Sequence, residues 1–236
     1  MISIVIPYRY TDDYHRFLPY IIDQFHGETI VVEEDSKPHE MDCGADKYLF
    51  IKSDLPFNKS RCLNVGIREA ENNAVILHDC DIIVPPIYEQ TIKEYLDKVD
   101  AVHLGGPLIY LDEQQTSAIL TGIASPYGFA VSPDKYIFDY PWGSMAVKKD
   151  RYIEIGGMNE AFKGHGGEDV SFNEILIGYN RILYLRLRYM VFMHLHHKRT
   201  PGHKNMDERR REWSLSIEKR IEENKRNWVA RYGDNQ

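Results

Sequence analysis

The sequence predicts an α/β fold with a Rossmann-like, mostly parallel central sheet flanked by helices. Two observations carry that prediction. Apolar runs of strand length alternate with stretches of helical spacing, in β-α-β-α-β-α-β order, up to Tyr110. Three of the strand-like runs also end in polar groups, "PYR", "EED" and "DCD". In such sheets ligands bind beyond the carboxyl ends of the strands, so these groups are expected to gather at one edge.

Taken in order, "ISIVIP" is a continuous apolar run closed by Pro7, the pattern of a strand buried on both faces. "DDYHRFLPYIIDQF" sets Phe17, Ile21 and Phe25 at helical spacing, with Pro19 expected to interrupt the helix. "ETIVVEED" is a second strand with acids at its C-terminal end. "NKSRCLNVGIREAEN" places Leu63, Ile67 and Ala70 on one helical face, although Gly66 weakens the propensity. "AVILHDCD", "IYEQTIKEYLDKV" and "DAVHLGGPLIY" supply a third strand, a third helix and a fourth strand. From about Gly105 to Tyr140, Gly, Pro, Ser and Tyr punctuate the pattern, as expected of a substrate-facing loop region. "GSMAVKKDRYIEIGGMNE" reads as a strand, a short helix and a turn; "EDVSFNEILIGY" reads as a helix, and "RILYLRLRYMVFMHLHH" as strand-like. In the polar tail Trp213, Ile217, Ile221, Trp228 and Tyr232 share one helical stripe, broken at Asn224. A C-terminal helix packed across the domain is the expectation.

Composition narrows the function classes. The 236 residues are 43% hydrophobic and 28% charged, ordinary for a globular protein with a sizeable core. A net charge of −7 argues against general nucleic-acid binding, so any phosphate must be met locally by a metal, a few cations or backbone amides. Cys43, Cys62 and Cys80 are odd in number and irregularly spaced, which suits neither a zinc ribbon nor a disulfide framework. No stretch approaches the ~20 apolar residues of a membrane span, and the N-terminus reads as a strand rather than a signal peptide. A cytoplasmic location, including the peripheral inner membrane face, is the expectation.

Three stretches carry chemistry. In "HDCDIIVPP", Asp79 and Asp81 close an otherwise apolar strand. Oxygen ligands at the strand end suit Mg²⁺ or Mn²⁺ bridging to a diphosphate, whereas the plainer reading is a pair of solvated turn acids. In "HLHHKRTPGH", His194 and His196 would point the same way on a strand and can ligate a metal, or sit in a polar loop. In "KGHGGEDVSF", Gly166 and Gly167 allow backbone close to a ligand, and Glu168 and Asp169 begin a helix whose dipole favours carboxylates. An acidic helix start is itself a common structural device.

The blocks "IVIPYRY", "FNKSRCLNVGI", "NAVILHDCDIIVPP", "YPWGSMAVKKDRYIEIGGMNEAF" and "GHGGEDVSFNEI" resemble, in order and spacing, those of the β-1,4-galactosyltransferases. More widely the chain is similar to GT-A glycosyltransferases with the galactosyltransferase-type "GGED" region. The resemblance covers roughly residues 1–205. It implies a single GT-A catalytic domain over 1–205, with a nucleotide-sugar half (1–100) and an acceptor half (101–205), and a helical extension over 206–236.

Carried over by motif, the resemblance places Pro7, Tyr8 and Arg9 along a uridine diphosphate site. Phe57 and Lys59 stand at the aromatic and basic positions of the family's "FNR" block, Lys59 replacing the usual arginine and losing its bidentate fork. Asp79 and Asp81 match the metal-binding D-x-D, with Asp81 the more direct ligand, and His194 or His196 the metal-ligating histidine. Trp142 and Gly143 fall where the family has paired glycines facing the sugar, and Glu34 is placed at the uracil edge. Glu168 and Asp169 match the acids of "GGED", with Asp169 as base. His165 stands where the family has a tryptophan, and Trp142 where it has a small residue. Both departures bear on the acceptor.

The resemblance thus implies an inverting, metal-dependent transferase using Mn²⁺ or Mg²⁺. It would move galactose or N-acetylgalactosamine from a UDP-sugar to a hydroxyl of a saccharide or glycolipid-linked acceptor, as in polysaccharide biosynthesis. Four other readings stand beside it. A retaining enzyme of the same fold usually carries Asn at the position of Asp169. A sugar nucleotidyltransferase usually has a Gly-rich loop after the first strand, and "PYRYTDDYH" has no glycine. A binding module with a decayed site would lack a base or a metal ligand, and a dinuclear hydrolase would want more carboxylates near the histidines.

Overall fold

The computed structural model describes residues 1–39, 42–128, 136–139, 143–164, 166–179, 182–198 and 206–233. Four parallel strands form the first half of the sheet: β1 (Ile2–Tyr8), β2 (Glu28–Asp35), β3 (Lys47–Lys52) and β4 (Ala74–His78). They are linked by α1 (Asp12–Ile22) and α2 (Lys59–Glu69). The short β5 (Ile82–Ile83), α3 (Tyr88–Leu96), β6 (Ala101–Tyr110), α4 (Glu113–Leu120) and β7 (Tyr136–Asp139) follow. The second half adds β8 (Ser144–Lys148), α5 (Lys149–Glu154), α6 (Glu168–Gly178), β9 (Ile182–Arg186), β10 (Phe192–His194), α7 (Met206–Trp213) and α8 (Ile217–Tyr232).

The strand order is β3-β2-β1-β4-β8-β6-β10-β5, with β7 and β9 also paired to β6. β8 runs antiparallel between β4 and β6, while β9 and β10 lie parallel to β6. The predicted parallel sheet is therefore joined to a mixed, curled second half. Because successive side chains leave a strand on opposite faces, β1 sends Ile4 and Ile6 to one core and Val5 to the other. The carboxyl ends of β1, β2 and β4 lie together, as in-register parallel neighbours must.

Three local expectations change. Helix α1 runs through Pro19, capped by Thr11, whose Oγ1 accepts the Tyr14 N–H at 3.0 Å. A mid-helix proline costs about 3 kcal/mol, and burial of Phe17, Leu18, Ile21 and Ile22 offsets it. Gly66 is a contact rather than a weakness: a Cβ there would lie 2.2 Å from Val5 Cγ1, so glycine lets α2 sit directly on β1. The loop read from Gly105 onward begins with the rest of β6 and contains α4, which opens with a capping box at Asp112 and Gln115.

The C-terminal stripe is split between two helices. Ile221 and Trp228 of α8 pack with Tyr152 and Phe172 in the second core, whereas Trp213 ends α7 half exposed. Asn224, where the stripe breaks, is buried and donates to the Gly157 carbonyl at 3.2 Å. No helix among the described residues is long and apolar enough to cross a membrane.

Candidate active site

The turn Asp79–Asp81 joins β4 to β5, and it is tied at both ends. The Asp79 N–H donates to the Gly143 carbonyl at 2.7 Å, and the Leu195 N–H donates to the Asp81 carbonyl at 2.9 Å. Gly143 is needed for that approach, since a Cβ there would stand 2.7 Å from Asp79 Oδ2. Beneath the turn the buried His78 ring bridges it: Nε2 lies 2.9 Å from the Ile82 carbonyl, and Nδ1 lies 2.8 Å from Ser144 Oγ. Ser144 Oγ in turn lies 2.8 Å from the Tyr88 hydroxyl. Since the Ile82 carbonyl only accepts, Nε2 carries the proton and Nδ1 accepts from Ser144.

The two acids of this turn face different partners. Asp79 pairs with Lys59, whose Nζ lies 2.7 Å from its Oδ1 and 3.2 Å from Asp169 Oδ2. Lys59 starts α2, whose N-cap Asn58 accepts the Arg61 N–H at 3.0 Å. Asp169 lies in the first turn of α6 beside the buried Glu168. The Gly164 N–H reaches the Phe57 carbonyl at 2.6 Å, joining the "FNK" and "GGED" blocks directly. Burial would lower the Lys59 pKa, but Asp169, Asp79 and Glu168 outweigh it and hold the ammonium charged. Burial pushes the Asp79 carboxyl up to about 6, with Lys59 opposing and Asp81 adding. Asp169 is raised for the same reason, again with Lys59 opposing.

Asp81 instead faces imidazoles. Its Oδ2 lies 3.3 Å from His197 Nε2 and 3.7 Å from His194 Nε2, and the three ligand atoms lie within 4.8 Å of one another. Burial would raise the Asp81 carboxyl, but the His197 hydrogen bond and the two ring charges hold it below its usual range. His197 is raised in turn, first by its hydrogen bond to Asp81. Each ring turns Nδ1 toward a backbone carbonyl: His194 to Leu195 at 2.8 Å and His197 to Lys198 at 3.2 Å. Rings held this way both aim Nε2 at one carboxylate. That arrangement is stable only around protons or a shared cation, so one carboxylate and two imidazoles fit a divalent transition metal.

His196 departs from its expected place. Strand alternation paired it with His194, but β10 ends at His194, so the period of two stops there. His196 turns outward to solvent, its backbone N–H bonded to Thr116 Oγ1 at 2.9 Å, and His197 takes the place beside Asp81. The run "HLHH" carried the signal; only the strand end selects among its histidines. Tyr14 of α1 packs its ring 5.1 Å from that of His197, a contact that no motif announces. Asp79, expected as a metal ligand, is held by Lys59 and lies outside the Asp81 group.

The residues expected on the nucleotide side gather at the ends of β1 and β2 with different exposures. Arg9 bonds the Glu34 and Leu55 carbonyls at 3.0 and 2.8 Å, and its guanidinium sits 5.9 Å above the Phe57 ring. Pro7 and Tyr8 are buried in β1, and the Tyr8 hydroxyl has no hydrogen-bond partner among the described residues. Glu34 is also buried. Its carboxylate accepts the Asn58 N–H at 2.5 Å and lies 3.3 Å from Arg61, so it anchors the start of α2. Trp142 and His165 lie outside the described residues. Lys59, Leu77, Asp79, Gly143, Met145 and Asp169 line a small cavity, so the three motif blocks share one opening.

The strand order, with these groups beyond the strand ends, is that of a GT-A fold. One stretch of the chain is similar to galactosyltransferases: residues 132–204 match the family described as the N-terminal domain of galactosyltransferase. Beta-1,4-galactosyltransferase 7 of Drosophila melanogaster is 22% identical over 135 residues, a match spanning 55% of this chain and 34% of that protein. The chain thus aligns with about a third of its curated relative's length. The catalytic domain of the Drosophila enzyme, solved with xylobiose, superposes with a TM-score of 0.54 at 16% identity, covering 89% of this chain and 79% of that one. A variant of it was solved with manganese, UDP-Gal and xylobiose, also at a TM-score of 0.54 and 16% identity, covering 88% and 77%. Glucosyl-3-phosphoglycerate synthase of Mycobacterium tuberculosis, in complex with Mn²⁺, UDP and glucosyl-3-phosphoglycerate, has a TM-score of 0.50 at 14% identity, covering 100% and 81%.

Proposed function

We propose that the protein is a metal-dependent glycosyltransferase that moves a sugar from a UDP-sugar to a hydroxyl of a saccharide acceptor, with inversion at the anomeric carbon. The observation that carries this reading is Lys59. Its ammonium joins Asp79 of the D-x-D turn to Asp169 of the "GGED" helix, while Asp81 of the same turn meets His194 and His197. The relatives solved with manganese or Mn²⁺ and with UDP-Gal or UDP support the choice of donor class.

Asp169 accepts the proton of the acceptor hydroxyl as that oxygen attacks the anomeric carbon, and the sugar–phosphate bond breaks with its electron pair leaving on the diphosphate. A sugar hydroxyl is a poor nucleophile, and a carboxylate with a raised pKa is a better base than an ordinary one. A cation held by Asp81, His194 and His197 supplies Lewis-acid stabilisation of the leaving diphosphate when bound. Lys59 brings a fixed positive charge toward the phosphates, and Arg9 with Phe57 frames the nucleotide side. UDP-galactose and UDP-N-acetylgalactosamine are the donors this reading puts first.

The test is a panel of UDP-sugars with Mn²⁺, scored for UDP release and thermal shift. At least one donor is expected to respond. Asp169→Asn is expected to lower transfer by about 10²- to 10⁴-fold while leaving the donor-induced thermal shift nearly intact. Undiminished transfer by that variant would remove Asp169 as the base, and silence across the whole panel would remove the activity.

A further inference from the structure

Helix α6 presents Glu168 and Asp169 from a poorly secured first turn. Its N-cap is Gly167, which has a φ of 103° and no side chain to accept the first N–H groups. Beyond the Lys59–Asp169 ion pair, the support for this turn comes from α7, far further along the chain. Glu212 is 1% exposed, and its two carboxylate oxygens are shared between the two flanks of the "GGED" turn. One accepts from Ser171 Oγ at 2.8 Å, and the other accepts from Asn159 Nδ2 at 2.6 Å. The Ser171 N–H bonds the Gly167 carbonyl at 2.9 Å, so the Glu212 contact falls on the first helical turn itself.

Glu212 is in turn fixed by the buried Arg220. Arg220 Nε donates to the Glu212 carbonyl at 2.7 Å, and its Nη1 reaches Glu174 of α6 at 2.7 Å. One turn before Glu212 on α7, Arg209 lays Cγ and Cδ over Gly167, each 2.9 Å from where a Cβ would stand. The buried Glu212–Arg220 pair is a poor device for stability alone, because apolar residues of similar volume in place of both often serve as well. The two directed bonds of Glu212 do something an apolar side chain does not: they set the angle and height of the turn.

We propose that Glu212 is a positioning residue for Asp169, and that α7 thereby completes the catalytic centre. The proposal rests on the reading of Asp169 as the base. Glu212 acts on that residue through Ser171 and Asn159 rather than by lining the cavity.

Glu212→Leu and Glu212→Gln separate positioning from packing. The leucine variant fills the space without the bonds, so kcat is expected to fall about 10- to 100-fold with the donor KM little changed; the melting temperature should fall too, because the buried Arg220, 3.6 Å from the Glu212 carboxylate, loses that partner. The glutamine variant keeps one acceptor and is expected to recover most of the rate. Wild-type kcat in Glu212→Leu, or equal losses in kcat and donor affinity without rescue by Glu212→Gln, would overturn the proposal. If Glu212→Leu fails to fold, Ser171→Ala removes one of the two bonds and is expected to lower kcat about 3- to 10-fold at constant KM; an unchanged rate overturns the proposal. Hydrogen exchange at residues 168–172 of the free protein gives a readout independent of turnover. Exchange there should quicken in Glu212→Leu while β1 and β4 stay protected, and unchanged exchange would sink the proposal. A wild-type protein inert to every UDP-sugar would instead overturn the base reading, and exchange alone would then decide whether Glu212 orders the turn.

Discussion

Asp79 and Asp81 stand two residues apart in one turn, yet they belong to two differently built sides of the site. On one side Lys59 holds Asp79 and Asp169, and the carboxyl pKa values are pushed up by burial. On the other, two imidazoles hold Asp81 and bring its pKa down. The same residue type in the same motif thus receives a fixed protein cation in one case and a metal-competent cluster in the other. The D-x-D spacing delivers both acids to the edge; partners remote in sequence decide what each becomes.

The largest expected effect lies on the imidazole side. Asp81→Asn and His197→Ala should each weaken Mn²⁺ binding by at least about 10- to 100-fold, the range seen when even outer partners of a metal site are lost. Transfer should fall with it, and chelation of the metal should abolish it in the wild type. His196→Ala should leave Mn²⁺ affinity within about twofold, because surface side chains away from a site contribute little. Titration calorimetry with Mn²⁺ reads all three variants. A large loss in His196→Ala with none in His197→Ala would restore the simple strand-alternation pairing of His194 with His196.

The lysine side is expected to show itself in stability. Lys59→Met leaves Asp79 and Asp169 facing each other without a cation, which should cost about 3 kcal/mol at neutral pH. The loss should shrink as pH falls and the two raised carboxyls protonate. Lys59→Arg keeps the charge and should cost much less. Urea unfolding at pH 7 and pH 5 measures this. If Lys59→Met weakened Mn²⁺ binding as much as Asp81→Asn does, the two sides would have to be treated as one site.

Much of this was legible in the chain, for reasons that differ between regions. Strands β1, β2 and β4 were readable because burial on both faces leaves uninterrupted apolar runs, and their polar ends marked the edge where Lys59, Asp79 and Asp169 meet. Gly66 could not be read, because close approach of α2 to Val5 is a tertiary fact. Nor could the break between α7 and α8, since Trp213 keeps the helical spacing of a stripe it does not join. His197 was hidden by a strand that ends sooner than alternation assumed. Glu212 carried no signal at all: in "RREWS" it is one more charge on a charged helix, and only its burial between Asn159 and Ser171 sets it apart.

The most gradual expected effect, spread over the acid range, concerns the support that both sides share. His78 spans the turn from Ser144 to the Ile82 carbonyl, and burial drives its pKa down to about 4. The folded protein therefore keeps the ring neutral, while the unfolded chain protonates it near the ordinary value of about 6.5. Above that pH neither state takes up the proton and His78 adds no pH dependence. As pH falls from about 6.5 toward 4 the unfolded state alone gains it, so stability declines, by up to about 3 kcal/mol in total. Unfolding curves for the wild type and His78→Gln between pH 7.5 and 4.5, the range ~3 pH units wide over which the difference develops, isolate this contribution from the carboxylates common to both. The variant should be less stable at pH 7.5 but lose stability more slowly on acidification. Parallel profiles would mean that the folded ring takes up its proton near the same pH as the unfolded chain, so that burial does not keep the support under Asp79 and Asp81 neutral in acid.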